Sequence, residues 1–176
     1  ASEAMNRLET TLKFSATASI DTQHALSIVT SGVNALGTEA EQLVDVLLMA
    51  GNITASSADQ IGDALTRVAS SAKSTGTSIE EVTAIMSTLI EVTQESPSSL
   101  GNSLKTLMAR FNKVNEETGE FNTSINETQK AFESVGIKFT DANGQIKPFY
   151  ELLSELNQVW KDLDGNTKSY IATASA

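Results

Sequence analysis

Residues 57–72, SADQIGDALTRVASSA, decide the fold class because they contain both a helix start and a helical apolar stripe. Ser57 and Gln60 have the spacing of a capping box, in which each side chain accepts a hydrogen bond from the other residue's backbone N–H. Apolar residues then recur on one helix face, at Ala58, Ile61, Leu65, Val68 and Ala72. The stretch therefore predicts an amphipathic α-helix.

The same pattern of helix starts and stops recurs along the chain. Further capping boxes are predicted at Thr38 with Glu41, Ser78 with Glu81 and Ser124 with Glu127. Simple N-caps are predicted at Asp21 and at Ser96, which precedes Pro97. Glycine accepts the left-handed conformation that follows a last helical turn. Helix ends are therefore predicted at Gly37, Gly51, Gly76 and Gly136.

Three more apolar stripes have helical spacing. They are Val82, Ile85, Met86 and Leu89; Leu100, Leu104, Leu107, Met108 and Phe111; and Leu152, Leu153, Leu156, Trp160 and Leu163. The apolar residues from Met5 through Leu12 to Phe14, and those from Ala25 to Leu36, follow the spacing less cleanly. We predict a mostly all-α fold, an array of short packed helices or helical hairpins.

One stretch, residues 137–147, departs from helical spacing. Ile137 to Phe139 and Gln145 to Lys147 alternate apolar and polar residues, and Asn143-Gly144 lies between them. Asn-Gly between alternating runs is typical of a β-hairpin turn, so we predict one small hairpin here. Pro148 then opens another helix, and the polar residues 115–123 are predicted to form a loop.

The chain has 176 residues and 18.7 kDa, which predicts a single helical domain over residues 1–176. It starts without Met and stops within a repeating Ala, Thr and Ser pattern, so we expect it to be part of a longer protein. Only 5% of its residues are aromatic and two are proline, a composition that favours helices over a β-sandwich.

The chain is acidic, with a net charge of −10. This charge argues against direct binding of nucleic acid or of an anionic membrane surface, which need cationic clusters. No apolar run is long enough for a membrane segment. The sequence has no cysteine, which removes thiol nucleophiles and Cys-based metal sites. We expect no cofactor and no metal site.

The candidate catalytic residues have simpler structural explanations, so we expect the chain not to be an enzyme. His24 is the one histidine and is predicted to be a solvated residue at a helix start. The paired acids Glu80-Glu81 and Glu116-Glu117, and the neighbours Glu39 and Glu41, fit helix first turns and solvated surface better than hydrolysis. The runs Asp141–Gly144 and Asp162–Gly165 imitate calcium loops but lack the ligands at key positions, which favours turns.

Two other groups of residues leave a structural and a functional alternative open. Phe149, Tyr150 and Trp160 are either interface anchors or core residues, and the apolar face that Phe149 and Trp160 share with three leucines favours the core. Lys105, Arg110 and Lys113 form one modest basic face, which is predicted to be a solvated helix end.

Several runs, in this order along the chain, resemble the conserved region of bacteriophage tail tape measure proteins. The resemblance begins with residues 57–65 and Ser78 to Glu81 and ends with the helix from Tyr150 to Leu163. The motif positions between and within these runs are Gly101, Asn102, Leu104, Lys105, Arg110, Gly136, Asp141, Gly144 and Trp160. Residues 57–176 form the family-like core, and the N-terminal helices in residues 1–56 match more loosely. Pro97 and the run Gly101-Asn102-Ser103 depart from the family pattern.

The resemblance implies a non-catalytic structural and assembly domain that lies outside the long ruler segment. Such proteins lie inside the tail tube, help determine tail length and leave the tube during genome delivery. Self-association into a small oligomer, contacts with tail tube and tail assembly chaperone proteins, and assembly in the bacterial host cytoplasm are implied in the same way.

Two alternatives from other classes stay open at this point. A helical signalling or adhesion module would explain the helices rich in Ala, Ser and Thr, although it would favour long uninterrupted heptads. A cell-wall hydrolase domain is the second alternative, with the paired glutamates as its candidate residues.

Overall fold

The computed structural model describes residues 2–111 and 127–175, and within them the chain forms nine α-helices. These helices are α1 (Ser2–Ala18), α2 (Thr22–Leu36), α3 (Ala40–Ile53), α4 (Ala58–Ser74), α5 (Ile79–Thr93), α6 (Pro97–Phe111), α7 (Glu127–Glu133), α8 (Phe149–Trp160) and α9 (Gly165–Ser175). The all-α prediction is confirmed. The predicted loop 115–123 and the predicted Ser124 cap lie outside the described residues.

Most of the predicted helix starts are confirmed. In the Ser57 box, the Ser57 N–H donates to Gln60 Oε1 at 2.9 Å and the Gln60 N–H donates to Ser57 Oγ at 3.2 Å. Ser78 and Glu81 form the same reciprocal pair before α5. Asp21 caps α2, and Ser96 accepts a hydrogen bond from the first turn of α6.

The Thr38 capping box is wrong. Helix α3 begins at Ala40, and its N-cap Glu39 makes no side-chain cap hydrogen bond. Thr38 lies one residue before the N-cap, and its Oγ1 donates to Gln42 Oε1 at 2.7 Å.

Among the predicted helix ends, Gly37, Gly76 and Gly136 have positive φ angles, as a left-handed residue after a helix requires. Gly51 does not end a helix, because α3 continues to Ile53. A Cβ atom at Gly51 would lie 2.7 Å from the backbone nitrogen of Ala58. Close approach of the next chain segment, rather than a left-handed turn, therefore explains this glycine.

Contacts divide the chain into two compact units. Unit 1 comprises Ala1–Lys73 and Ser78–Lys105, and unit 2 comprises Ser74–Thr77 and Thr106–Ala176. The single domain predicted over residues 1–176 stays a prediction.

Unit 1 is a helical array in which α1, α2 and α3 contact one another and α3 also contacts α5. Its core is mainly aliphatic, and its fully buried large side chains include Phe14, Ile28, Leu43, Leu47, Ile61, Leu65 and Met86. Gly62 brings α4 close to α2, because a Cβ atom there would lie 2.8 Å from Ile28 Cδ1. Small residues therefore set the separation of these helices.

Unit 2 is built around phenylalanine rings. Phe111 stacks on Phe139, with ring centroids 5.2 Å apart, and meets Phe132 and Phe149 edge-on. The predicted hairpin supplies Phe139: Thr140 and Ile146 form one antiparallel bridge, and the Lys147 N–H donates to the Phe139 carbonyl at 2.8 Å. The hairpin is thus shorter than predicted and is anchored by an aromatic core.

Helix α9 is an element that the apolar pattern does not predict. Its start depends on Asp164, whose carboxylate accepts hydrogen bonds from the backbone N–H groups of Asn166 and Thr167 and from the Thr167 hydroxyl. The run Asp162–Gly165 is therefore a helix start as well as a turn. Among the described residues of α9, only Ile171 is buried, which explains why the sequence shows no clear apolar stripe for this helix.

Candidate functional site

Four of the motif positions lie together on α6 in unit 1. Gly101 faces α4, and a Cβ atom at this position would lie 2.5 Å from the Ala64 carbonyl oxygen and 3.0 Å from Arg67 Cβ. Leu104, one turn later, is 3% exposed. Asn102 and Lys105 are exposed on the other side of the helix. The motif thus combines a helix-packing surface with an exposed polar face.

The contact between α6 and α4 also includes a polar link. Ser98 Oγ donates to Asp63 Oδ2 at 2.8 Å, one turn before Gly101 on α6. A hydrogen bond to a carboxylate is stronger than one between neutral groups, so this link helps to fix the rotation of the two helices. The segment that contains Gly101 therefore contacts α4 through both a close backbone approach and a hydrogen bond.

The turn positions Gly136, Asp141 and Gly144 lie in unit 2. Gly136 has a φ of 86° and follows α7, where the next amide, Ile137 N–H, donates to the Phe132 carbonyl. Asp141 Oδ1 accepts from the N–H groups of Asn143 and Gln145, both at 2.8 Å. These contacts to one carboxylate oxygen are those of an Asx turn, as the turn interpretation predicts.

The core interpretation of Trp160 needs correction. Trp160 is partly exposed at the end of α8, and Leu153, Leu156 and Leu163 share this intermediate burial. The Lys168 ammonium lies 5.9 Å from the centroid of the indole ring. Phe149 is 1% exposed and is a core residue as predicted, whereas Tyr150 is 42% exposed.

Arg110 lies in the last turn of α6 and is partly buried. Lys105 is exposed on the same helix, and Lys113 lies outside the described residues. Of the three residues of the predicted basic face, the structure therefore describes only Lys105 and Arg110.

His24 has a partner that sequence reasoning misses. Its Nε2 lies 3.0 Å from Asp59 Oδ1, and the two side chains are 41% and 42% exposed. The pair joins the first turn of α2 to the first turn of α4, so the histidine is partly solvated but not isolated. Sequence spacing cannot show this pair, because the two residues are far apart along the chain.

The candidate glutamates at α5 are engaged in helix-start contacts. Glu81 completes the capping box, and Glu80 accepts a hydrogen bond from Gln42 Nε2 at 3.0 Å. The pKa of Glu80 is lowered from its ordinary value, first by a backbone hydrogen bond and then by the Gln42 amide. A lowered pKa keeps the carboxylate ionised, which suits a helix start and not a general acid. Glu116 and Glu117 lie outside the described residues.

Unit 2 contains an open cleft of about 300 Å³ beside the phenylalanine core. Its lining includes Thr75, Phe149 and Lys147. Lys147 Nζ forms an ion pair with Glu155 Oε1 and lies 3.7 Å from Glu151 Oε1. The pKa of Lys147 is raised above its ordinary value, chiefly by the hydrogen bond with Glu155. The charged group of the cleft is therefore already neutralised by the protein.

Across residues 2–111 and 127–175, no group of three or more acidic, histidine or cysteine side chains could hold a metal ion. Within the same ranges, none of the helices has the length and apolar character needed to cross a membrane.

Short capped helices, glycine-mediated helix contacts and acids engaged at helix starts define a helical structural module. The family model of the phage-related minor tail proteins matches residues 1–175. The chain therefore belongs to this family and is a structural protein of the phage tail. The match includes residues 1–56, where the resemblance of the individual motifs is looser. No curated protein and no solved structure matched the chain in the corresponding searches.

Proposed function

We propose that this chain is a non-catalytic structural and assembly domain of a tail tape measure protein. The observation that carries the proposal is the position of Gly101, which belongs to the motifs that carry the resemblance. Gly101 packs α6 closely against Ala64 of α4. A domain of this kind contributes to tail tube assembly and tail length, and thereby to genome delivery. Its partners are tail tube and tail assembly chaperone proteins.

The proposal places the domain in the interior of the tail tube in the virion, and in the host cytoplasm during assembly. It also includes self-association into a small oligomer. The longest described helices, α1 and α4, have 17 residues each, which argues against the long heptad helices of a signalling or adhesion bundle.

The test is an in-frame deletion of the codons for residues 1–176 from the phage or prophage that encodes the chain. Electron microscopy of lysates should then show no tails or malformed tails. Particles with normal tails and normal infectivity would contradict the assembly role.

The absence of catalysis is part of the proposal and has its own test. Zymography on cell-wall material should give no cleared zone with the unaltered chain. If a zone forms and disappears in Glu80→Gln, Glu81→Gln or Glu117→Gln, the hydrolase alternative is correct.

A further inference from the structure

The hairpin turn of unit 2 contains Asn143-Gly144, the one place in the sequence where an asparagine is followed by glycine. Both residues are exposed, and a Cβ atom at Gly144 would meet nothing within 4 Å. The main-chain nitrogen of Gly144 therefore has no side chain of its own beside it, and no described residue packs over this position. Solvent has access to the side-chain amide of Asn143 and to the peptide bond that follows it.

The other asparagines in residues 2–111 and 127–175 all lie within helices. They are Asn6, Asn34, Asn52, Asn102, Asn157 and Asn166. Inside a helix, the N–H group that follows an asparagine donates to a carbonyl of the preceding turn, which holds its nitrogen in place. After Asn166, in the first turn of α9, the Thr167 N–H donates to Asp164 Oδ1 at 3.0 Å instead. Asn143 is thus the described asparagine whose following nitrogen is least restrained.

We propose that Asn143 is a site of spontaneous deamidation, in which the main-chain nitrogen of Gly144 attacks the side-chain carbonyl carbon of Asn143. Hydroxide removes the proton from the attacking nitrogen. A bond then forms between this nitrogen and Cγ of Asn143, and the bond between Cγ and Nδ2 breaks. Nδ2 takes up a proton from water and leaves as ammonia, and a cyclic succinimide remains.

Water completes the reaction by opening the succinimide at either of its carbonyl carbons. Opening at Cγ restores the ordinary main chain and gives aspartate at position 143. Opening at the main-chain carbonyl carbon leaves the Gly144 nitrogen bonded to Cγ and gives isoaspartate. In both cases one water is consumed and one ammonia is released, so no other reactant is needed.

The contacts of Asp141 hold the turn closed and thereby limit the rate of this reaction. The Gly144 N–H donates to the Asp141 carbonyl at 3.1 Å, so the attacking nitrogen is engaged in the closed turn. Asp141 Oδ1 also accepts from the N–H groups of Asn143 and Gln145, both at 2.8 Å. The attack therefore takes place in a locally opened turn, and the population of this open state depends on the Asp141 contacts.

The isoaspartate product changes the main chain of the hairpin, because its backbone runs through Cβ and gains a methylene group. This methylene falls between the two N–H groups that share Asp141 Oδ1, so the two hydrogen bonds are not both kept. It also lies within the loop that the bridge between Thr140 and Ile146 closes. The hairpin supplies Phe139, which stacks on Phe111. Isoaspartate at position 143 should therefore loosen the phenylalanine core of unit 2.

The first experiment follows the 176-residue chain by peptide mapping and mass spectrometry during incubation in mildly alkaline, ¹⁸O-labelled water. We expect Asn143 to convert several-fold faster than each of the helical asparagines, with labelled oxygen in the product. The rate should rise with hydroxide concentration, because the attacking nitrogen must lose its proton. No conversion at Asn143, or faster conversion at a helical asparagine, would overturn the proposal.

The second experiment tests the restraint by Asp141. Asp141→Ala removes the accepting oxygen and should increase the conversion rate at Asn143 several-fold. Asp141→Asn is the matched control, because an asparagine side chain forms the same turn without the charge. Its rate should stay close to that of the unaltered chain. An unchanged rate in the Ala variant would contradict the restraint, and equal acceleration in both variants would assign the effect to the lost charge instead.

The third experiment separates the effect of the altered main chain from that of the added charge. Asn143→Asp has the same negative charge as both products but an ordinary main chain. Chains that contain isoaspartate are isolated by ion-exchange and reversed-phase chromatography, and their unfolding in urea is compared with that of Asn143→Asp. The isoaspartate chain should unfold at a lower urea concentration, and Asn143→Asp close to the unaltered chain. Equal midpoints for the isoaspartate chain and Asn143→Asp would show that the core does not loosen.

Discussion

Gly101 of α6 lies directly against the main-chain carbonyl of Ala64 in α4. A Cβ atom at position 101 would lie 2.5 Å from that oxygen, closer than such atoms can approach without a shift. The obstructing atom belongs to the backbone of another helix and cannot rotate away as a side chain can. The contact therefore requires glycine for its size and not for its conformational freedom.

Gly101→Ala should destabilise the chain. The forced shift of α6 from α4 costs about 1–3 kcal/mol, as overpacking does. Replacing a glycine within a helix offsets up to about 1 kcal/mol of this loss. With the full offset, the free energy of unfolding in urea should therefore fall by a net amount of up to about 2 kcal/mol. The matched control is Gly165→Ala in the first turn of α9, where a Cβ atom meets nothing within 4 Å. Equal stabilities of the two variants would show that the close contact does not matter.

Ser78→Ala should destabilise the start of α5. The variant loses the hydroxyl that accepts from the Glu81 N–H at 3.2 Å. Loss of such a cap typically costs about 1 kcal/mol, measurable by urea unfolding. Thr38→Ala is the control: its sequence pattern also predicts a cap, but its hydroxyl bonds to Gln42 and not to the backbone of α3. A larger loss at Thr38 than at Ser78 would reverse this assignment.

The helices and their caps could be predicted from sequence because their determinants are local. The box of Ser57 and Gln60 is set by residues three apart, so spacing alone identifies it. The errors concern tertiary contacts: Gly51 is fixed by the approach of Ala58, and the burial of Trp160 depends on elements outside its own helix.

In the candidate site, too, the sequence identifies the motif positions but not their tertiary contacts. Sequence resemblance identifies Gly101 but cannot name Ala64 as the backbone that it contacts. In α1, the pattern from Met5 to Phe14 predicts a helix, yet only the fold shows that Phe14 points inward and Leu8 outward. Periodicity identifies an apolar face without stating whether the same chain covers it.

Phe149→Ala should be more destabilising than Trp160→Ala. Phe149 is 1% exposed and meets Phe111 edge-on at 4.8 Å, so its removal leaves a cavity and should cost about 3–5 kcal/mol. Trp160 is partly exposed, so Trp160→Ala should lower the free energy of unfolding by about 1–2 kcal/mol, within the usual range for single substitutions. Urea unfolding of both variants provides the measurement. If Trp160→Ala lowers the free energy of unfolding as much as Phe149→Ala does, Trp160 is a core residue after all.

Helix α9 should loosen at its start in acid. The pKa of Asp164 is lowered from its ordinary value, first by the Thr167 hydroxyl and next by the Thr167 backbone N–H. A carboxyl group whose pKa is lower in the folded state stabilises the fold above its unfolded pKa of about 3.9. This contribution is lost as the pH falls through the lower, folded value.

The measurement that isolates this one carboxylate is an NMR titration from pH 6 to about pH 2. The amide resonances of Asn166 and Thr167, which donate to Asp164 Oδ1 at 2.8 Å and 3.0 Å, should shift together with a midpoint below the ordinary Asp value. Asp164→Asn provides the control, because asparagine also caps helices but does not titrate. Its two amides should stay constant over the same range. A shared titration in the Asn variant would mean that other carboxylates, and not Asp164, hold the start of α9.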